Sequence, residues 1–161
     1  MEFYSVNEIW QEAIPRLNTY YLTNYPFAGN TKLAALINKL LPQRKVPKNI
    51  VFVGRSQWFS ITLEQAIYIA TELKRNYKLR HYFKFTWGSD EFVFQTLLYN
   101  SPFKAQMVND NLRYIDWSAG GASPKTLTIA DVDILLNSHK LFARKFDEKI
   151  DVAIINQLDN L

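Results

Sequence analysis

The stretch Thr86-Trp87-Gly88-Ser89-Asp90-Glu91-Phe92-Val93-Phe94-Gln95-Thr96-Leu97-Leu98 constrains the fold more than any other in the chain. Gly88 reads as the end of a loop. Ser89 reads as a helix N-cap, because its hydroxyl can accept from the free N–H groups of a first turn. Asp90 and Glu91 then fall in that turn, where exposed N–H dipoles favour negative charge. Phe92, Val93, Phe94, Leu97 and Leu98 drive the helix into the interior and so pin its start. Phe94, Gln95 and Leu98 stand three, four and seven residues after Glu91, which places Glu91 over a partly buried face. Two readings of the carboxylate pair follow. One is charge that complements the helix dipole; the other is a catalytic acid or base held at a rigid position. The residues alone favour the first.

A chain of 161 residues with an ordinary balance of apolar and charged residues predicts one domain, spanning 1–161, with a core of its own. Aromatic residues are dense, 15%, and serve equally well in a core or as platforms for sugars and bases. Cysteine is absent, which excludes disulfides and thiolate metal sites. The first residues lack a basic leader segment, and no apolar run reaches the length of a bilayer span. A net charge of +4 is mild and fits an anionic small ligand such as a nucleotide diphosphate.

Periodicity predicts a short helix over 5–14 ended by Pro15, then a turn-rich loop over 16–31. A helix is expected over 31–41, capped by Thr31 and stopped by Pro42, with Leu33, Ala34, Leu36, Ile37, Leu40 and Leu41 on its apolar face. Arg44, Lys45 and Lys48 read as a solvated basic loop. Ile50-Val51-Phe52-Val53-Gly54 reads as a buried strand, and Thr62 with Gln65 as a capping box opening the next helix. Leu112-Arg113-Tyr114-Ile115-Asp116-Trp117 alternates as a half-buried strand, and residues 118–124 form a flexible loop. Lys125-Thr126-Leu127 is expected to be a brief strand. Thr128 should cap a helix to about residue 138 that buries Val132, Leu135 and Leu136, and Asp147 should cap a last helix bearing Val152, Ile155 and Leu158.

Few motifs carry chemistry. Arg144 and Lys145 lie among Leu141, Phe142, Ala143 and Phe146, so at least one cation is expected to be held rather than solvated; an exposed lysine on an edge strand explains the pattern equally well. Asp131-Val132-Asp133 matches a D-x-D formally, yet it sits in a first helical turn where positions i and i+2 diverge, and dipole complementation suffices. His81 and His139 lack partners at metal spacing. There is no nucleophile elbow, phosphate loop or basic aromatic stripe, which argues against nucleic acid as a partner.

Four stretches in order, Ser56-Gln57-Trp58-Phe59, Ser89-Asp90-Glu91-Phe92, Leu112-Arg113-Tyr114-Ile115-Asp116-Trp117 and Leu141-Phe142-Ala143-Arg144-Lys145-Phe146-Asp147, together resemble the C-terminal half of the core-2/I-branching β-1,6-N-acetylglucosaminyltransferases, the bacterial members especially. The resemblance runs from near Ile50 to the end, and more loosely over the start. It implies an α/β fold, the C-terminal part of a GT-A-type glycosyltransferase, with a short mixed sheet and flanking helices. It implies inverting transfer of N-acetylglucosamine from a UDP-sugar to an acceptor glycan hydroxyl, with no metal and no cofactor. By match, Glu91 is the general base, with Asp90 supporting the helix start. Lys145 binds the donor diphosphate, and Trp117 contacts the acceptor sugar. Lys125 is the nearest basic residue to a second diphosphate contact of the family. Ala119 stands where animal members carry an aromatic.

The family's preceding nucleotide-binding half has no counterpart here, so the expectation is the acceptor-side, catalytic half of a truncated or split gene product. It would expose an apolar patch where the other half docks, and self-associate. The expected setting is cytoplasmic, peripheral at the membrane, with polysaccharide-assembly proteins as partners. The alternative is a non-catalytic remnant that binds glycan or a partner chain.

Overall fold

In a computed structural model describing residues 1–160, the first strand, β1 (Phe3–Ser5), pairs antiparallel with β2 (Val53–Arg55), Tyr4 opposite Gly54. Val6 prolongs the pairing by donating to the Phe52 carbonyl at 3.0 Å. The strand expected over 50–54 is thus shorter and shifted. The reason lies in α5 (Val93–Tyr99), whose side chains take the backbone groups a further strand would use. Thr96 Oγ1 accepts from Val53 N–H at 3.2 Å and donates to Val53 C=O at 2.9 Å. Asn100, one turn on, accepts from Val51 N–H at 2.9 Å and donates to Val51 C=O at 2.8 Å. Two side chains at i and i+4 stand in for a strand neighbour at alternate residues, satisfying groups that would otherwise be orphaned.

Where one domain was expected, the chain divides into two compact units, Met1–Asn111 and Leu112–Leu161. The core of the first gathers Val6, Trp10, Leu17, Phe52, Ile69, Phe83, Phe92 and Leu98, among others. The helix expected over 5–14 is replaced by β1, a 3-10 turn at Gln11–Ala13 and α1 (Ile14–Asn18), with Pro15 in the first turn of α1. Pro15 therefore begins a helix instead of stopping one, because a first-turn N–H has no helical partner to lose.

α2 (Asn30–Leu40) lies where expected, but Gly29, in the left-handed region at φ 91°, is its N-cap, and none of its residues is buried. Only Asn30, Ala34 and Ile37 are half-buried. Polar hooks hold the helix instead of a greasy face: Asn38 accepts from Tyr20 N–H and donates to Tyr20 C=O, both at 2.8 Å. Arg44, read as part of a solvated loop, is buried. Its guanidinium donates to the carbonyls of Thr19, Tyr82 and Phe85 and to Thr86 Oγ1, and lies 3.8 Å from the Tyr82 ring centroid.

α3 (Leu63–Arg75) opens with the expected capping box. Thr62 Oγ1 accepts from Gln65 N–H at 3.2 Å, and Thr62 N–H donates to Gln65 Oε1 at 3.1 Å. Asn76 then starts α4 (Tyr77–Lys84) by accepting from Leu79 N–H at 3.0 Å.

In the second unit β3 (Arg113–Ile115) pairs parallel with β4 (Phe142–Arg144), Ile115 opposite Arg144. No strand forms at 125–127; Lys125 N–H donates to Asp116 C=O, and Leu127 N–H to Lys145 C=O. Thr128 and Asp131 form a capping box ahead of α6 (Val132–Asn137). Leu127, Val132, Leu135 and Ile154 make the core. Leu136, expected inside, is exposed. The last helix, α7 (Ala153–Asp159), is started by Asp151, not Asp147: Asp151 Oδ1 accepts from Ala153 N–H at 2.8 Å and from Ile154 N–H at 3.3 Å. The result is a mixed α/β chain with short sheets. Among the described residues no helix is long and apolar enough to cross a membrane.

Candidate functional site

The stretch from Thr86 to Leu98 builds its site differently from expectation. Gly88, at φ 60°, takes the cap position, Ser89–Glu91 is a single 3-10 turn, and Ser89 makes no side-chain cap. Phe92, fully buried, then starts α5 by stacking on Trp10 at 4.8 Å between ring centroids. The burial of Phe92 fixes its neighbour Glu91 at the rim, about one-third exposed at 34%.

Glu91 is held by Arg16, a residue to which nothing in the sequence reading assigned a role. Arg16 Nη1 donates to Glu91 Oε2 at 2.8 Å. The same guanidinium donates through Nε to the Trp87 carbonyl at 3.1 Å and through Nη2 to the Gly88 carbonyl at 3.0 Å. It lies 4.6 Å from the ring centroids of both Trp87 and Phe92 and 5.2 Å from that of Trp10. A planar, forked donor set does this; a lysine point charge would satisfy one partner at a time. Glu91 Oε1 accepts no hydrogen bond among the described residues, so one carboxylate oxygen stays open. Asp90 is exposed beside it.

Two glycines make room for this arrangement. A Cβ on Gly54 would collide with the Glu91 carbonyl and reach the Trp10 ring at 3.0 Å, and a Cβ on Gly88 would collide with Arg16 Nη2. Gln95 is fully buried and donates to Ser56 C=O, tying α5 to the Ser56-Gln57-Trp58-Phe59 segment; its Oε1 is unpartnered.

Trp117 and Lys145 lie in the second unit. Because β3 and β4 run parallel, the residues that follow each strand leave from the same edge of the pair. Trp117 comes two residues after β3, and Lys145 directly after β4. The carboxyl ends of parallel strands are where ligands sit in open α/β sheets. Trp117 is 55% exposed and Lys145 is half-buried, with no carboxylate in ion-pairing reach among the described residues.

Lys125 is placed otherwise. Its ammonium donates to Asp131 Oδ1 at 2.6 Å and lies 3.9 Å from Asp116 Oδ2, and the hydrogen bond to Asp131 raises its pKa. Asp131, held below the usual carboxylate range by that bond and by Thr128 N–H, serves the capping box. Asp131 of the D-x-D thus has structural work, and no group of three or more metal-ligating side chains comes together among the described residues.

A model of the Core-2/I-Branching enzyme family matches residues 10–137. The chain belongs to that family. The match takes in Arg16, Glu91, Trp117 and Lys125, and ends before Lys145. Among curated proteins the chain is similar to Xylosyltransferase 2 of Mus musculus, 30% identical over 138 residues, covering 74% of this chain and 16% of that protein. It is similar also to Xylosyltransferase 1 of Rattus norvegicus, 28% identical over 137 residues, 74% of this chain and 17% of the relative. Xylosyltransferase of Ciona intestinalis is 27% identical over 135 residues, again 74% of this chain and 16% of the relative. The chain thus spans about a sixth of the length of these relatives. Membership of a glycosyltransferase family follows from the matching model; the sugar transferred does not.

Proposed function

We propose that this chain carries the acceptor-activating part of an inverting, metal-independent sugar transfer, with Glu91 as general base. In that step the acceptor hydroxyl gives its proton to Glu91 as its oxygen bonds the anomeric carbon of the donor. The bond from that carbon to the diphosphate breaks, and its electron pair leaves with the diphosphate. The observation that carries this reading is the Glu91 carboxylate itself: one oxygen is fixed by a guanidinium locked onto two backbone carbonyls, and the other is open and solvent-accessible. A general base needs a defined position and an unoccupied lone pair within reach of the proton.

Lys145 supplies the charge that a diphosphate leaving group needs. It is the better suited of the two lysines, because Lys125 is already neutralised by Asp131 and Asp116. Trp117 offers an exposed ring to the apolar face of an acceptor sugar. The donor class is a UDP-sugar; N-acetylglucosamine is the sugar of the resemblance, and xylose is the one in the relatives' names. UDP release from UDP-N-acetylglucosamine and from UDP-xylose, with an acceptor glycan present, tests the proposal. Glu91→Gln should lower turnover about 10²–10⁴-fold while UDP affinity holds, and Lys145→Met should weaken UDP binding. Turnover that survives Glu91→Gln would sink the assigned base. Glycan binding without any turnover would identify a non-catalytic binding domain.

A further inference from the structure

The face of α2 is turned inside out. Leu33, Leu36 and Leu40, at i, i+3 and i+7, form one stripe and are 42%, 51% and 71% exposed. The half-buried side of the helix carries Asn30, Ala34 and Ile37, with Ile37 its one large apolar side chain. The display is fixed, because Asn38 is bonded to both backbone groups of Tyr20, and Asn30 donates to Tyr25 C=O at 3.1 Å. At a helical advance of about 100° per residue, Lys32 and Lys39 flank the leucine stripe on its solvent side. Both are exposed, as are Lys45 and Lys48 just beyond the helix. Tyr25 and Phe27, exposed at 38% and 48%, precede it. No Asp or Glu occurs anywhere between Glu12 and Glu64.

We propose that α2 is a membrane-docking helix that lies on an anionic lipid surface, with Leu33, Leu36 and Leu40 entering the acyl boundary and Lys32 and Lys39 meeting the headgroups. Apolar stripe, flanking lysines that snorkel and neighbouring aromatics are the three features an interfacial helix requires. Charge selects this occupant over a second copy of the chain. A two-fold contact through the same face would bring lysine against lysine, and the surrounding sequence holds no acid to separate them. Anionic headgroups supply the missing negative charge. The proposal is independent of the catalytic assignment.

Co-sedimentation of the full chain with phosphatidylcholine vesicles, with and without roughly a third of phosphatidylglycerol, tests it. The chain should pellet with the anionic vesicles only and be released by about 1 M salt. The triple variant Leu33→Ser/Leu36→Ser/Leu40→Ser should lose binding to background. Lys32→Gln/Lys39→Gln should weaken it about thirtyfold, from about 1 kcal/mol for each cation near the surface. Because all five residues are exposed, far-UV circular dichroism should be unchanged in both variants. Absence of binding to anionic vesicles, equal binding to neutral ones, or full binding by the triple variant would each overturn the proposal. So would a dimer that the triple variant dissociates and that does not bind vesicles, which would make the stripe an interface between copies.

Discussion

The Arg16–Glu91 pair invites a direct energetic test. An exposed ion pair couples by about 0.2–1 kcal/mol, whereas breaking a fully buried one costs about 3–5 kcal/mol. Here the side chains are 12% and 34% exposed, with a charge-assisted bond of 2.8 Å, so the coupling should fall between those limits, at about 1–2 kcal/mol. Arg16→Met should cost more than that coupling, about 3 kcal/mol in all. It also strips the donors from the Trp87 and Gly88 carbonyls and the cation from between three rings. The assay is urea unfolding followed by circular dichroism for the wild type, Arg16→Met, Glu91→Gln and the double variant, with the coupling read from the cycle. Arg16→Lys, which keeps charge but not the fork, should recover less than half of the loss. A coupling below about 0.3 kcal/mol, or an Arg16→Lys variant as stable as wild type, would refute the claim that this guanidinium fixes the carboxylate.

Further outcomes follow from the same geometry. Asp131 and Asp151 are held below the usual carboxylate range, the first chiefly by Lys125 and the second chiefly by Ile129 N–H. Their stabilisation is present above the unfolded carboxylate value, about 3.9, and is lost as pH falls through the lower folded values; Asp131→Asn/Asp151→Asn should flatten the acid limb of a Trp117 fluorescence titration. Tyr82, buried with its hydroxyl donating to Leu17 C=O at 2.7 Å, is pushed up to about 12. Its contribution is therefore complete below the unfolded tyrosine value of about 10 and is lost as pH rises through the folded one. Tyr82→Phe should remove the last-titrating phenol from an absorbance titration. Gly88→Ala should cost about 1–2 kcal/mol in backbone conformation alone, before it displaces Arg16. Gly54→Ala should cost more, since its obstacle is the Glu91 carbonyl and not a side-chain end, and the urea midpoints of the two variants would show the order.

Local signals in the sequence carried well. The Thr62–Gln65 box and the Thr128 start are bonds between residues three apart, and both form as read. Non-local partners were out of reach. Arg16 binds Glu91 across 75 positions, and nothing near Pro15-Arg16 announces it. Arg44 looked solvated because its neighbours Lys45 and Lys48 are, yet the carbonyls of Tyr82 and Phe85 supply a cradle that only tertiary structure assembles. Ser89 had the right chemistry for a cap, but Gly88 reaches the left-handed conformation more cheaply and displaces it. Helical periodicity gives α2 an apolar face without saying which way the chain turns it, and the structure turns its leucines outward. Glu91 itself needed the resemblance, since the residues alone favour dipole complementation.

The parallel pairing of β3 and β4 has a consequence in time. Antiparallel neighbours can close through a tight hairpin, but this pair must wait until residues 116–141 have been made and brought round, which is a slow kind of contact to form. The edge bearing Trp117 is therefore unfinished until β4 emerges, and the residue that completes it, Lys145, follows that strand directly. A ribosome stalled before Phe142 would hold a chain whose Met1–Asn111 unit has all its own residues while the second unit still lacks a sheet.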